Sequence, residues 1–81
     1  MKTIIKYNNR KLYDRETSKY ITITELLSLP LGSFRVILHG PLKFDVTTST
    51  LLSSLTKESV DSEVKIQVME YCINELQLGA L

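Results

Sequence analysis

TIIKYNNRKLYDRETSKYITI, residues 3–23, decides the fold of this chain. Ile, Tyr and Thr recur in three short runs, 3–7, 11–15 and 19–23, and β-branched and aromatic side chains suit the pleated, half-buried surface of a strand. Between the runs stand Asn8-Asn9-Arg10 and Glu16-Thr17-Ser18, whose Asn, Ser and Thr side chains bond nearby backbone and so favour tight turns. The segment predicts two or three short strands folded into a ribbon. Alternation puts Lys11, Tyr13 and Arg15 on one face and Arg10, Leu12 and Asp14 on the other. One face of the ribbon then carries a ring between two cations.

Downstream, TITE at 22–25 fits a capping box, with Thr22 accepting from the Glu25 N–H while the Glu25 side chain reaches back, so a short helix begins there. LPLGS at 29–33 ends it, because proline disfavours helical geometry in the residue before it and glycine permits a reversal. FRVILH, 34–39, reads as a strand apolar enough to be central, and Phe44-Asp45-Val46 as its hairpin partner across GPLK. Thr47 or Thr48 then caps a helix bearing Leu51, Leu52 and Leu55. A last helix is predicted from about Ser59 or Asp61 to Gln77, with two apolar stripes. Val60, Val64, Val68, Tyr71 and Cys72 form one, and Ile66, Met69, Ile73 and Leu76 the other, at 3, 4, 3 spacing. Apolar side chains over more than half the circumference exceed what one small core covers, so the second stripe is expected to mediate oligomerisation. The fold class is α+β: a small N-terminal β-ribbon or sheet with a short helix and a β-hairpin, followed by two C-terminal helices.

Eighty-one residues make one small domain. Hydrophobic residues at 43% and charged residues at 23% argue against a disordered chain. The single cysteine, Cys72, cannot form an internal disulfide, and no leader-like N-terminal pattern is present, so a cytoplasmic location is expected. No apolar run approaches the roughly 18 residues of a membrane span, and no membrane partner is expected. The net charge of +1 conceals an asymmetry. Residues 1–22 hold six cations against two carboxylates, a net of +4, whereas residues 23–81 hold four against seven, a net of −3. A local basic field attracts polyanions even when the whole chain is near neutral.

Nothing in the sequence assembles catalytic chemistry, and an enzyme is not expected. The glycines, Gly32, Gly40 and Gly79, are dispersed and form no phosphate loop. His39 is the one histidine and stands at a strand end, without a partner for base or ligand work. Asp14 and Glu16 read as turn and ion-pair residues, and Cys72 as a small buried hydrophobe. Both His39 and Cys72 are expected to be functionally silent, and no cofactor or metal is implied. At least two of the rings Tyr7, Tyr13 and Tyr20 are expected in the core, since a small domain without tryptophan needs their bulk.

IKYNNRKLYDRETSKYITITEL resembles the opening signature of the polyhydroxyalkanoate synthesis repressor family, approximately K-Y-x-N-R-[RK]-L-Y-D-x-x-T-S-x-Y-[IV]-T. Lys6, Tyr7, Asn9, Arg10, Lys11, Leu12, Tyr13, Asp14, Thr17, Ser18, Tyr20, Ile21 and Thr22 stand in register with it. Asp45, Val46, Thr47 and Leu51 fall where the family has a D-[IL]-T-x-x-x-L element, so the likeness covers about residues 4–57. Asn8 stands where the family usually has proline, and HGPLKF replaces a more acidic turn. After Leu55 the family continues into a longer region associated with polymer granules, whereas one helix follows here. The resemblance thus implies DNA binding more than association with the polymer or with storage-granule proteins. It implies a bacterial transcriptional repressor with a DNA-binding domain at 1–58, and the helical element 59–81 is expected to join copies into a dimer or higher oligomer through Ile66, Met69, Ile73 and Leu76.

Within that resemblance, duplex DNA is the partner and Lys6, Tyr7, Asn8, Asn9, Arg10, Lys11, Tyr13, Arg15 and Lys19 are the candidate contacts. Lys6, Arg10, Lys11, Arg15 and Lys19 suit phosphates, which supply affinity without sequence information. Arg10, Asn8 and Asn9 offer donor geometry that matches purine edges. The alternative is a protein-interaction module in which the same basic, Tyr-rich ribbon docks an acidic partner, since Arg and Tyr are also enriched at protein interfaces.

Overall fold

Three strands form where the Ile/Tyr/Thr runs place them: β1 (Lys2–Lys6), β2 (Leu12–Asp14) and β3 (Lys19–Ile21). The computed structural model describes residues 1–80, with side chains as far as Gln77; Leu81, the end of the expected 59–81 element, lies outside the described residues. β1 and β2 pair antiparallel with Ile5 opposite Tyr13, and β2 and β3 with Tyr13 opposite Tyr20. In the first turn the Arg10 N–H donates to the Tyr7 carbonyl at 2.9 Å and the Tyr7 N–H to the Lys11 carbonyl at 2.9 Å. Asn9 Oδ1 accepts from the Lys11 N–H at 3.1 Å. Arg10 takes φ +66°, the left-handed residue of a three-residue hairpin loop. Asp14 makes the second turn, where its Oδ1 accepts from the Glu16 N–H at 2.9 Å and the Thr17 N–H at 3.4 Å.

α1 (Ile23–Leu27) carries both halves of the capping box, Glu25 N–H to Thr22 Oγ1 and Thr22 N–H to Glu25 Oε1, each at 3.1 Å. Its Leu26 is fully buried. The chain reverses at Gly32, φ +89°, where the missing Cβ removes the steric penalty of the left-handed region, and enters β4 (Phe34–Leu38). β4 pairs parallel with β1, Ile4 beside Val36 and Ile5 beside Ile37, giving a mixed sheet of order β3-β2-β1-β4. The buried apolar side chains of one face are Ile4, Leu12, Phe34 and Val36.

Two expectations about β4 change. It is an outer strand and not a central one, and its hairpin partner 44–46 contracts to a single antiparallel bridge, Ile37 to Asp45. The backbone groups of an apolar edge still require partners, and the following segment supplies them. The Leu38 N–H donates to the Phe44 carbonyl, the Val46 N–H to the Val36 carbonyl, and the Val36 N–H to Thr47 Oγ1, each at 2.8 Å. Thr47 is therefore not a free cap: it is the first residue of α2 (Thr47–Ser54), and both its N–H and its hydroxyl donate to Asp45 Oδ1, at 2.9 and 2.6 Å. Asp45 does the capping that the sequence assigned to threonine. Burial raises its carboxyl pKa, but the two Thr47 bonds and the Arg35 charge outweigh that and leave it below the usual value.

The chain divides into two compact units, Met1–Thr47 and Thr48–Leu81. The second contains the rest of α2 and α3 (Ser62–Ala80), which starts after Asp61, whose Oδ1 accepts the Glu63 N–H at 3.1 Å. The two stripes of this helix differ in exposure as their spacing predicts. Val68 and Cys72 are at most 1% exposed, whereas Ile66, Met69, Ile73 and Leu76 range from 48 to 59%. Burial, with the Glu75 charge, raises the Cys72 thiol pKa, which disfavours thiolate.

Candidate nucleic-acid interface

The register sorts the side chains of the first unit between two faces of the sheet. On the face opposite Ile4, Leu12, Phe34 and Val36, the aligned residues form three rows across the strands. The middle row is Tyr20, Tyr13, Ile5 and Ile37. On one side of it lie Arg15, Thr3 and Arg35, joined by the Arg15 N–H to the Thr3 carbonyl at 3.5 Å and by the Thr3–Arg35 pairing. On the other lie Lys11, Tyr7 and His39, joined by the Tyr7 N–H to Lys11 and by the His39 N–H to the Lys6 carbonyl at 2.8 Å. An apolar and aromatic band is thus flanked by positive charge on both sides.

The rings contact one another. Tyr13 meets Tyr20 edge-on at 5.2 Å between centroids, Tyr7 lies 6.3 Å from Tyr20, and Tyr7 and His39 approach to 4.6 Å. The Lys11 ammonium sits 5.7 Å from the Tyr20 ring centre, within cation–π range. None of the three N-terminal tyrosines is buried: Tyr7 and Tyr13 are half-buried and Tyr20 is 61% exposed. This corrects the expectation that two of them fill the core. Aliphatic side chains and Phe34 fill it instead, because the alternating positions that face inward carry Ile4, Leu12, Phe34 and Val36, and the tyrosines fall on the positions that face the other way. Beside the rings runs an open cleft of about 480 Å³, lined among others by Ile5, Tyr7, Tyr13, Arg15, Ile37, His39 and Lys43. Arg35 is 3.9 Å from Asp45; Arg15 and Lys43 have no carboxylate within 4 Å among the described residues.

The nine residues singled out from the sequence do not share one surface. Tyr7, Lys11, Tyr13 and Arg15 belong to the open face. Asn8, Asn9 and Arg10 form the exposed tip of the β1–β2 hairpin. Lys6 and Lys19 belong by alternation to the other face, Lys19 pairing with the buried Asp14 position and lining a separate depression with Lys2 and Ile21. Arg35, His39 and Lys43, outside those nine, also lie on or beside the open face. Their inclusion depends on β4 lying beside β1, which no local pattern announces, although alternation in FRVILH does pair Arg35, Ile37 and His39 on one side.

Asp14 fastens the ribbon from beneath. It is 3% exposed, and Lys2 Nζ lies 2.8 Å from its Oδ2 and 3.6 Å from Glu16 Oε2, which gives both acids the turn and ion-pair roles read from the sequence. The Lys2 hydrogen bond, opposed by burial and aided by the Glu16 and Thr17 N–H groups, holds the Asp14 carboxyl below its usual value. The same bond raises the Lys2 pKa.

A family model described as the PHB/PHA accumulation regulator DNA-binding domain matches residues 3–63, which take in all of the sheet but Lys2, and its hairpin tip. The chain belongs to that family. It is 39% identical over 62 residues to an uncharacterized protein in the phbA 5' region of Thiocystis violacea, covering 74% of this chain and 44% of that protein. It is likewise 39% identical over 62 residues to an uncharacterized protein of Allochromatium vinosum, covering 74% of this chain and 40% of the relative. The chain thus spans less than half the length of these relatives. No solved structure matches it. As a PHB/PHA accumulation regulator DNA-binding domain, it presents a basic, ring-bearing sheet face and a polar hairpin tip. Among the described residues no helix is long and apolar enough to cross a membrane, and no three His, Cys, Asp or Glu side chains gather as a metal-holding group.

Proposed function

We propose that this chain is a cytoplasmic transcriptional repressor of polyhydroxyalkanoate synthesis that acts by holding duplex DNA and not by catalysis. The observation that carries the reading is the grouping of Lys11, Arg15, Arg35 and Lys43 around one sheet face in a member of a DNA-binding family. Those cations contact phosphates. The β1–β2 hairpin, a two-stranded ribbon of a width the major groove admits, carries Asn8, Asn9 and Arg10 to base edges. Tyrosine hydroxyls at the margin of the band add sugar and phosphate contacts.

Duplex binding measured across a salt series tests this. Four neutralised phosphates give a log–log slope of about −3 to −4 per chain. Absence of duplex binding at low salt overturns the proposal and leaves the docking of an acidic protein as the better account of the same face.

Arg10 separates stability from recognition. At φ +66° a non-glycine residue carries roughly 1 kcal/mol of backbone strain. Arg10→Gly relieves that strain while adding chain entropy to the unfolded state, so its unfolding free energy is expected to stay within about 1 kcal/mol of the parent. Its discrimination between cognate and altered duplexes is expected to fall by about 1–3 kcal/mol at one base pair if the guanidinium reads guanine. Urea unfolding and competition binding check the two halves.

A further inference from the structure

The exposed stripe of α3 has the residue spacing of a coiled-coil seam, and we infer that it pairs in parallel with the α3 of a second copy of this chain. Ile66, Met69, Ile73 and Leu76 follow the 3, 4, 3 spacing of alternating a and d positions, and all four remain 48–59% exposed. Heptad a positions are thus Ile66 and Ile73, and d positions Met69 and Leu76. β-branched Ile at a with Leu at d, as at Ile66, Ile73 and Leu76, favours two parallel strands, because the two layers orient their knobs differently toward the partner.

Charge gives the orientation independently. In this register Lys65 is at g and Glu70, five residues on, is at e, on opposite sides of the apolar seam. Parallel, in-register pairing sets each Lys65 against the Glu70 of the other copy, so the surface is self-complementary twice over. Antiparallel pairing of the same seam sets Lys65 against Cys72 and Glu70 against Gln77 and gains neither ion pair. Lys65 is half-buried and Glu70 exposed, and neither has a salt bridge within 4 Å among the described residues. The inference does not depend on DNA binding, since α3 is no part of the sheet.

Sedimentation of the full chain at tens of micromolar tests it, with circular dichroism confirming that each variant folds. The parent is expected to be a dimer. Lys65→Glu and Glu70→Lys each replace two attractions by two repulsions and are expected to weaken self-association roughly tenfold. An equimolar mixture of the two variants, and the double variant K65E/E70K, are each expected to restore dimers. Met69→Cys, at a d position facing its own counterpart, is expected to cross-link into covalent dimers under mild oxidation; in antiparallel pairing it faces Ile73. A monomeric parent, an oligomer larger than a dimer, single variants that associate like the parent, failure of the mixture to rescue, or no cross-link at Met69→Cys each overturns the inference.

Discussion

Alanine at both Lys11 and Arg15 is expected to weaken duplex DNA binding roughly 10- to 100-fold at 0.1 M salt and to flatten the log–log salt slope by about two units. The two side chains stand at opposite ends of the ring-bearing β2 segment, on the face that also carries Arg35 and His39. If each neutralises one phosphate, its removal forfeits the release of about one counterion, so the loss is greatest at low salt and similar for all sequences. Lys11→Ala also gives up its cation–π contact with Tyr20, worth about 0.5–1 kcal/mol at an exposed site, so a small loss of stability accompanies it. Lys19→Ala is the internal control. It lies on the other face, and its variant is expected to keep the parental slope. Equal losses in Lys19→Ala and in the double variant would assign DNA to the opposite face, and an unaltered slope in the folded double variant would remove the open face from the mechanism.

Asp14→Ala is expected to cost about 2–4 kcal/mol of folding stability, a large share of the roughly 4–12 kcal/mol typical of a domain this size. The substitution removes the acceptor of two turn N–H groups and leaves Lys2 without its closest counter-charge. Asp14→Asn keeps an acceptor for the turn and loses only the charge, so a smaller loss is expected. The pH dependence has a definite sign. The folded pKa of Asp14 lies below the usual 3.8, so its contribution is present above that value and disappears as pH falls through the lower folded value. Lys2 is raised above 10.5, so its contribution is present below that value and disappears only as pH rises further. Between pH 5 and 9 the gap between parent and Asp14→Asn is therefore expected to be constant, and below about pH 4 it closes. Urea unfolding at stepped pH measures it; a gap that varies near neutrality assigns the effect to another group.

Local chemistry determined much of this protein from its sequence. Turn-forming Asn8-Asn9 and Asp14, alternation through Leu12-Tyr13-Asp14, and the Thr22/Glu25 box are interactions between residues at most a few positions apart, and each appears in the structure as the sequence dictates. The separation of α3 into a buried and an exposed stripe was equally legible, because helical periodicity is fixed by geometry. The opposite faces of Lys6 and Tyr7 also follow from alternation, once it is carried through the whole ribbon.

Tertiary structure decided what depends on distant partners. The parallel pairing of β1 with β4 joins residues about thirty positions apart, and only that pairing brings Arg35, Ile37 and His39 beside Ile5 and Tyr7 to complete the face. The edge of β4 shows the same limit. Its donors and acceptors had to be met, but a regular strand, a single bridge or the Thr47 hydroxyl could each meet them, and the choice rests on how 40–47 closes against the sheet. Bulk alone would place the tyrosines in the core. Phe34 and the aliphatic side chains of β1, β2 and β4 fill that space, which leaves the rings in tilted and edge-on contact with one another outside it.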